Sequence, residues 1–150
     1  MKAITKTLRR LLCIAAGSIA LLLAGCASMP SWMGGGQTVH IDLGGSQEVP
    51  AQNVEGTGNG SFKIASDGSV SGSVTTTDVA GIMAHIHMGA IGHNGPVIIP
   101  LKHSAPNVWS VPEGAKLTEA QMAAFKKGDL YVNVHTARHR GGEVRGQILP

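Results

Sequence analysis

Short runs in which apolar and polar residues alternate, each cut off by Gly, Pro, Asn or Asp, recur along most of the chain beyond residue 37. A β-strand puts successive side chains on opposite faces, so this period of two predicts an antiparallel all-β domain rather than helices. The predicted strands are residues 38–43, 60–66, 69–76, 81–88, 96–101, 108–111, 129–136 and 143–149. Asp67-Gly68 tolerates positive φ and predicts a two-residue hairpin turn between the second and third of them. One short helix interrupts the pattern at about residues 118–127: Thr118 and Gln121 have capping-box spacing, and Leu117 can staple onto Met122. Lys126 and Lys127 sit at the negative end of its dipole, and Gly128 supplies a left-handed exit. Such a helix is expected to act as a lid, packing Met122 and Phe125 over one end of a barrel.

The N-terminal end reads differently. Lys2, Lys6, Arg9 and Arg10 precede an apolar stretch over residues 11–23, too short to span a bilayer comfortably, which predicts an export signal over residues 1–25. Leu23-Ala24-Gly25-Cys26 resembles the bacterial lipobox, in which small residues admit the lipoprotein peptidase and the thiol takes a diacylglyceryl group. Cys26 then becomes the lipidated N-terminus, its acyl chains (palmitate among them) the membrane anchor, residues 26–37 a flexible tether and residues 38–150 the single domain. Ala27 and Ser28 lack the aspartate that retains lipoproteins in the inner membrane, so the expected address in a host with two membranes is the outer membrane, facing the periplasm.

Loss of the signal takes four of the twelve Lys and Arg residues and none of the nine acids. Eight cations then face nine acids, so the +3 of the full chain belongs to the precursor and gives no support to a nucleic-acid partner. Cys13 leaves with the signal and Cys26 is lipidated. The domain is therefore expected to hold together without a disulfide, by packing or a bound ion.

All seven histidines lie beyond the signal. Alternation in residues 81–88 puts Met83, His85 and His87 on one face and Ala84, Ile86 and Met88 on the core face, so two imidazoles project in parallel from one strand. In residues 129–136, Leu130, Val132 and Val134 take the core and Tyr131, Asn133 and His135 the opposite face. In residues 143–149, Val144 and Ile148 turn inward while Glu143, Arg145 and Gln147 turn outward. If these strands are neighbours, His85, His87 and His135 converge beside Arg145 as a metal site. His103 is the best candidate for a fourth ligand, His93 and His139 are loop residues, and His40 is a solvated strand residue. Imidazole ligation without thiolate suits copper or zinc, and the Irving–Williams order favours Cu(II). Met83 could lend a thioether to Cu(I), although packing under a loop is the commoner use of such a methionine.

Ala84-His85-Ile86-His87-Met88-Gly89 followed by Gly92-His93-Asn94-Gly95-Pro96-Val97, and residues 128–136 followed by Gly141-Gly142-Glu143-Val144-Arg145-Gly146-Gln147-Ile148, together resemble the CHRD domain. This module takes its name from chordin and occurs in many bacterial exported proteins. Ser46-Gln47-Glu48-Val49-Pro50 is similar to its opening strand and turn. The resemblance implies a Greek-key antiparallel sandwich or barrel, immunoglobulin-like or superoxide-dismutase-like. The His-x-His strand, later histidine and near-terminal arginine are also similar to the copper side of Cu/Zn superoxide dismutase, which implies His85, His87 and His135 as ligands and Arg145 as an anion guide. The leading expectation is a membrane-tethered copper-binding protein that sequesters or buffers the metal. The alternatives are a copper-only dismutase with Arg145 as a catalytic residue, and an adhesion or ligand-binding module with structural histidines.

Overall fold

The computed structural model describes residues 35–150. The expected signal, Cys26 and most of the tether lie outside the described residues. Strand β1 (Gln37–Gly44) leads through a 3-10 turn (Gly45–Gln47) to β2 (Thr57–Ile64), β3 (Val70–Thr77), β4 (Gly81–Met88), β5 (Val97–Pro100), β6 (Lys102–Ala105) and β7 (Val108–Ser110). The helix α1 (Glu119–Lys126) follows, then β8 (Leu130–Thr136) and β9 (Val144–Ile148). All paired strands are antiparallel, in the order β5-β4-β8-β9-β1-β2-β3-β7-β6. The outermost strands of that order, β5 and β6, are consecutive in the chain with only Leu101 between them, and the Leu101 N–H donates to Ala84 O at 2.9 Å. The sheet therefore rolls back on itself into a nearly closed barrel, as the alternation and the family resemblance imply.

The alternation translates directly into the core. In β1, Val39, Ile41 and Leu43 are buried while Thr38, His40 and Asp42 face solvent. Phe62, Val74, Val132, Val134 and Val144 meet them inside, each with no measurable exposure. A fully buried side chain of this size contributes about 1.5–3 kcal/mol. The helix forms where expected, and its capping box is complete: the Gln121 N–H donates to Thr118 Oγ1 at 3.3 Å, and the Thr118 N–H donates to Gln121 Oε1 at 2.9 Å. Phe125 is buried and Met122 packs against the core, so the helix closes one end of the barrel.

Two local expectations need correction. The Asp67-Gly68 turn is one residue wider than a two-residue hairpin: Ala65 O accepts from the Gly68 N–H at 2.9 Å, and the Ala65 N–H donates to Ser69 O at 2.9 Å. Only Gly68 takes positive φ, at 87°, while Asp67 Oδ1 accepts from the Ser69 N–H. Strand β6 was also missed, because Lys102-His103-Ser104-Ala105 has no apolar alternation; all four residues are exposed, as suits the end of a sheet.

Strand β8 sets up the site. Flanked by β4 and β9, it has all seven residues buried. Leu130, Val132 and Val134 belong to the core cluster, so the opposite face of Tyr131, Asn133 and His135 is covered by something other than the core.

Candidate metal centre

The register of β4 against β8 pairs Met83 with His135, His85 with Asn133 and His87 with Tyr131. Directly opposed and diagonal side chains on one sheet face lie within reach of each other. His85 and His135 exploit the diagonal: His85 Nδ1 stands 3.0 Å from His135 Nε2. One ring nitrogen from each of His85, His87 and His135 falls within 4.8 Å of the others. The convergence anticipated from alternation is thus present, on the face of β8 turned away from the core.

The second nitrogens are already engaged. His87 Nδ1–H donates to Gly95 O at 2.9 Å, and His135 Nδ1–H donates to Arg140 O at 2.9 Å. A proton held at Nδ1 leaves the Nε2 lone pair free, the arrangement by which backbone carbonyls orient and tautomerise metal-binding histidines. His87 Nε2 is buried and has no hydrogen-bond partner, a cost an ion would remove.

Electrostatics keeps the rings neutral. Burial, reinforced by the neighbouring His135 and His87, pushes His85 down to about 4. Burial, with His135 and Arg145 nearby, also lowers His87 against the opposing pull of the Gly95 carbonyl and the Asn133 side chain, and burial lowers His135 against the pull of the Arg140 carbonyl. At neutral pH all three rings are therefore uncharged; with the His135 proton held at Nδ1, His85 Nδ1–H donates to His135 Nε2, and a shift of that proton to His85 Nε2 would free both facing nitrogens for an ion.

Arg145 lies in the next strand but is only 1% exposed. Its guanidinium carbon stands 3.5 Å over the Tyr131 ring, and that ring stacks on His87 with centroids 4.7 Å apart and an interplanar angle of 7°. Tyr131 pairs with His87 on one side and neighbours β9 on the other, so the aromatic ring is held between imidazole and guanidinium. Arg145 also donates to Ala90 O and His93 O, each at 3.1 Å, and to Gln147 Oε1 and Asn94 Oδ1. These contacts pin residues 89–95, the loop whose Gly95 carbonyl holds His87. The guanidinium is thus engaged by loop carbonyls and the Tyr131 ring.

The acid nearest Arg145 in its electrostatics is Glu48, 4% exposed, while Glu143 accepts from Thr136 Oγ1–H at 2.7 Å. Burial raises Glu48 to about 7, with Arg145 and then Asn133 pulling it back. Gly142 has φ +132°, and a Cβ there would meet the Glu48 carboxylate and come 2.6 Å from Asn133 Nδ2. Glycine is required for the loop after β8 to close over this layer.

The family profile of the CHRD domain matches residues 39–148. The chain belongs to the CHRD domain family. No curated protein and no solved structure matches it. The three histidines, Arg145 and Glu48 all lie inside the matched CHRD segment, whereas Cys26 precedes it. Within the CHRD domain His103 is not brought to the cluster: it is exposed on β6, with its ring 4.8 Å from that of Trp109. His40 is exposed on β1, His93 is exposed in the 89–95 loop, and His139 lines a separate cleft with Glu55, Asp78 and Glu143. Glu48 and Asn133 are the site residues that sequence reasoning missed. Asn133 was legible on the ligand face of β8, while nothing local marks Glu48 as buried.

Proposed function

We propose that this CHRD domain binds a copper ion through His85 Nδ1, His87 Nε2 and His135 Nε2, and that it sequesters or buffers the metal while tethered to a membrane through acylated Cys26. The observation that carries the reading is that one ring nitrogen from each of three largely buried histidines falls within 4.8 Å of the others, with His87 Nε2 buried and making no hydrogen bond. Three neutral nitrogen donors without a thiolate or carboxylate suit copper or zinc, and the Irving–Williams order puts Cu(II) ahead. The lipobox-like Leu23-Ala24-Gly25-Cys26 supports the tether and the envelope address. A dismutase would want its arginine at an open coordination position. Arg145 is instead committed to the 89–95 loop, so binding without turnover is the better-supported reading.

The test is competitive titration of the detergent-solubilised full chain with Cu(II) and Zn(II). Sub-micromolar binding that is lost in the His85→Ala plus His87→Ala variant is expected, with Cu(II) bound more tightly than Zn(II). Absence of such binding, or its persistence in the double variant, refutes the metal assignment. Acylation is read separately by metabolic labelling with palmitate, which the Cys26→Ala precursor should not incorporate.

A further inference from the structure

We propose that the thioether of Met83 is the fourth protein donor to the ion and makes the site favour Cu(I) over Zn(II). The inference rests on the three-histidine copper reading above.

Met83 shares the outward face of β4 with His85 and His87, and its pairing partner on β8 is His135 itself. Side chains directly opposed in an antiparallel pair have Cβ atoms about 4.5–5.5 Å apart, and the three rotatable bonds of methionine span such a gap. The residue is 45% exposed and stands outside the hydrophobic core cluster. Met88, on the same strand, packs against the core instead. Ile82, Ile91, Val97 and Leu149 are exposed as well; what sets Met83 apart among them is a sulfur donor in register with His135.

The walls of the site point the same way. The 89–95 loop closes over His87, with Gly95 O on its Nδ1–H. The loop after β8 closes over His135 through Arg140 O. Glu48 and Gly142 cover Asn133. The remaining approach lies beyond His85, the least buried of the three histidines, where Ile82 and Met83 are exposed. A donor entering from that side completes a four-coordinate shell.

The chemistry of the donor sets the selectivity. A thioether is neutral, soft and polarisable, so it binds Cu(I) well and adds little to Zn(II), which the imidazoles alone already satisfy.

The experiment compares the detergent-solubilised full chain with its Met83→Leu variant, which keeps the volume and apolar character. Cu(I) affinity is measured anaerobically against a chromophoric Cu(I) chelator, Zn(II) affinity is measured in parallel, and X-ray absorption reads the copper shell. Expected are a sulfur scatterer in the parent that disappears in Met83→Leu, Cu(I) affinity weakened about tenfold and Zn(II) affinity within about twofold. A parent with copper bound but no sulfur in its shell overturns the proposal, as does a variant with unchanged Cu(I) affinity. Equal weakening for both metals also overturns it, since Met83 would then act through the scaffold. Those outcomes leave the histidine site standing; a parent that binds neither metal overturns both readings.

Discussion

Replacing Arg145 with methionine tests the idea that this residue is a clamp rather than a guide. The variant loses the guanidinium's hydrogen bonds to Ala90 O, His93 O, Gln147 and Asn94 and its contact with Tyr131. A buried charge-assisted hydrogen bond is worth about 1.5–3 kcal/mol, and Arg145 makes several of them. These figures do not add in full. His93 is exposed and Ala90 partly so, so water can take over their freed carbonyls, and Glu48, already raised to about 7, can accept a proton once its cation is gone. A net loss of about 3 kcal/mol is therefore expected in urea unfolding. Arg145→Lys keeps the charge but not the planar fork or the stack, and should lose about 1–2 kcal/mol. Because the clamp holds the loop that supplies Gly95 O to His87, metal affinity should fall about 10-fold in Arg145→Met, as for other outer-shell losses. A variant that loses less than about 1 kcal/mol and binds metal like the parent would refute the clamp.

Further outcomes follow from the same contacts. Glu48 is raised above its unfolded value of 4.5 to about 7, so the folded state holds the extra proton between those values and this group makes stability fall as pH rises through the window; Glu48→Gln should flatten that part of the pH–stability curve, read by thermal unfolding. The lowered histidines work in the opposite sense: the unfolded state takes up protons first, so their contribution to stability falls as pH drops below 6.5 toward the value of about 4 held by His85. Metal affinity should accordingly stay level from pH 8 to about 6.5 and decline only below it, measured by titration in buffers of stepped pH. Gly142→Ala combines φ +132° with a Cβ driven into Glu48 and Asn133, and should cost about 2–4 kcal/mol in urea unfolding. Thr118→Ala removes one half of the capping box and should cost about 1 kcal/mol, seen as a lower melting temperature with the metal site intact.

The division between sequence and fold is clearest on β8. Its period-two pattern announced a core face of Leu130, Val132 and Val134 and an opposite face of Tyr131, Asn133 and His135, because alternation is a property of one strand and needs no partner. The same logic placed Met83, His85 and His87 on one side of β4. It failed at β6, which has no apolar face to betray it, and at the turn after Ala65, where strand ends and turn width are settled by pairing. It also failed to foresee that the outer face of β8 would be buried. The covers are loops and Glu48, brought there from distant parts of the chain.

Determined by the sequence alone were the all-β class, the capped helix, the in–out sorting of β4, β8 and β9 and the family, all of which rest on short-range periodicity or on motifs a few residues long. Decided only by the tertiary structure were the 3.0 Å approach of His85 to His135 across 50 residues of chain, the burial of Arg145 against Tyr131, and the exclusion of His103 from the cluster. Strand register and loop closure fix those distances. Both are minima of the whole barrel's packing and hydrogen bonding, to which no local segment holds the information.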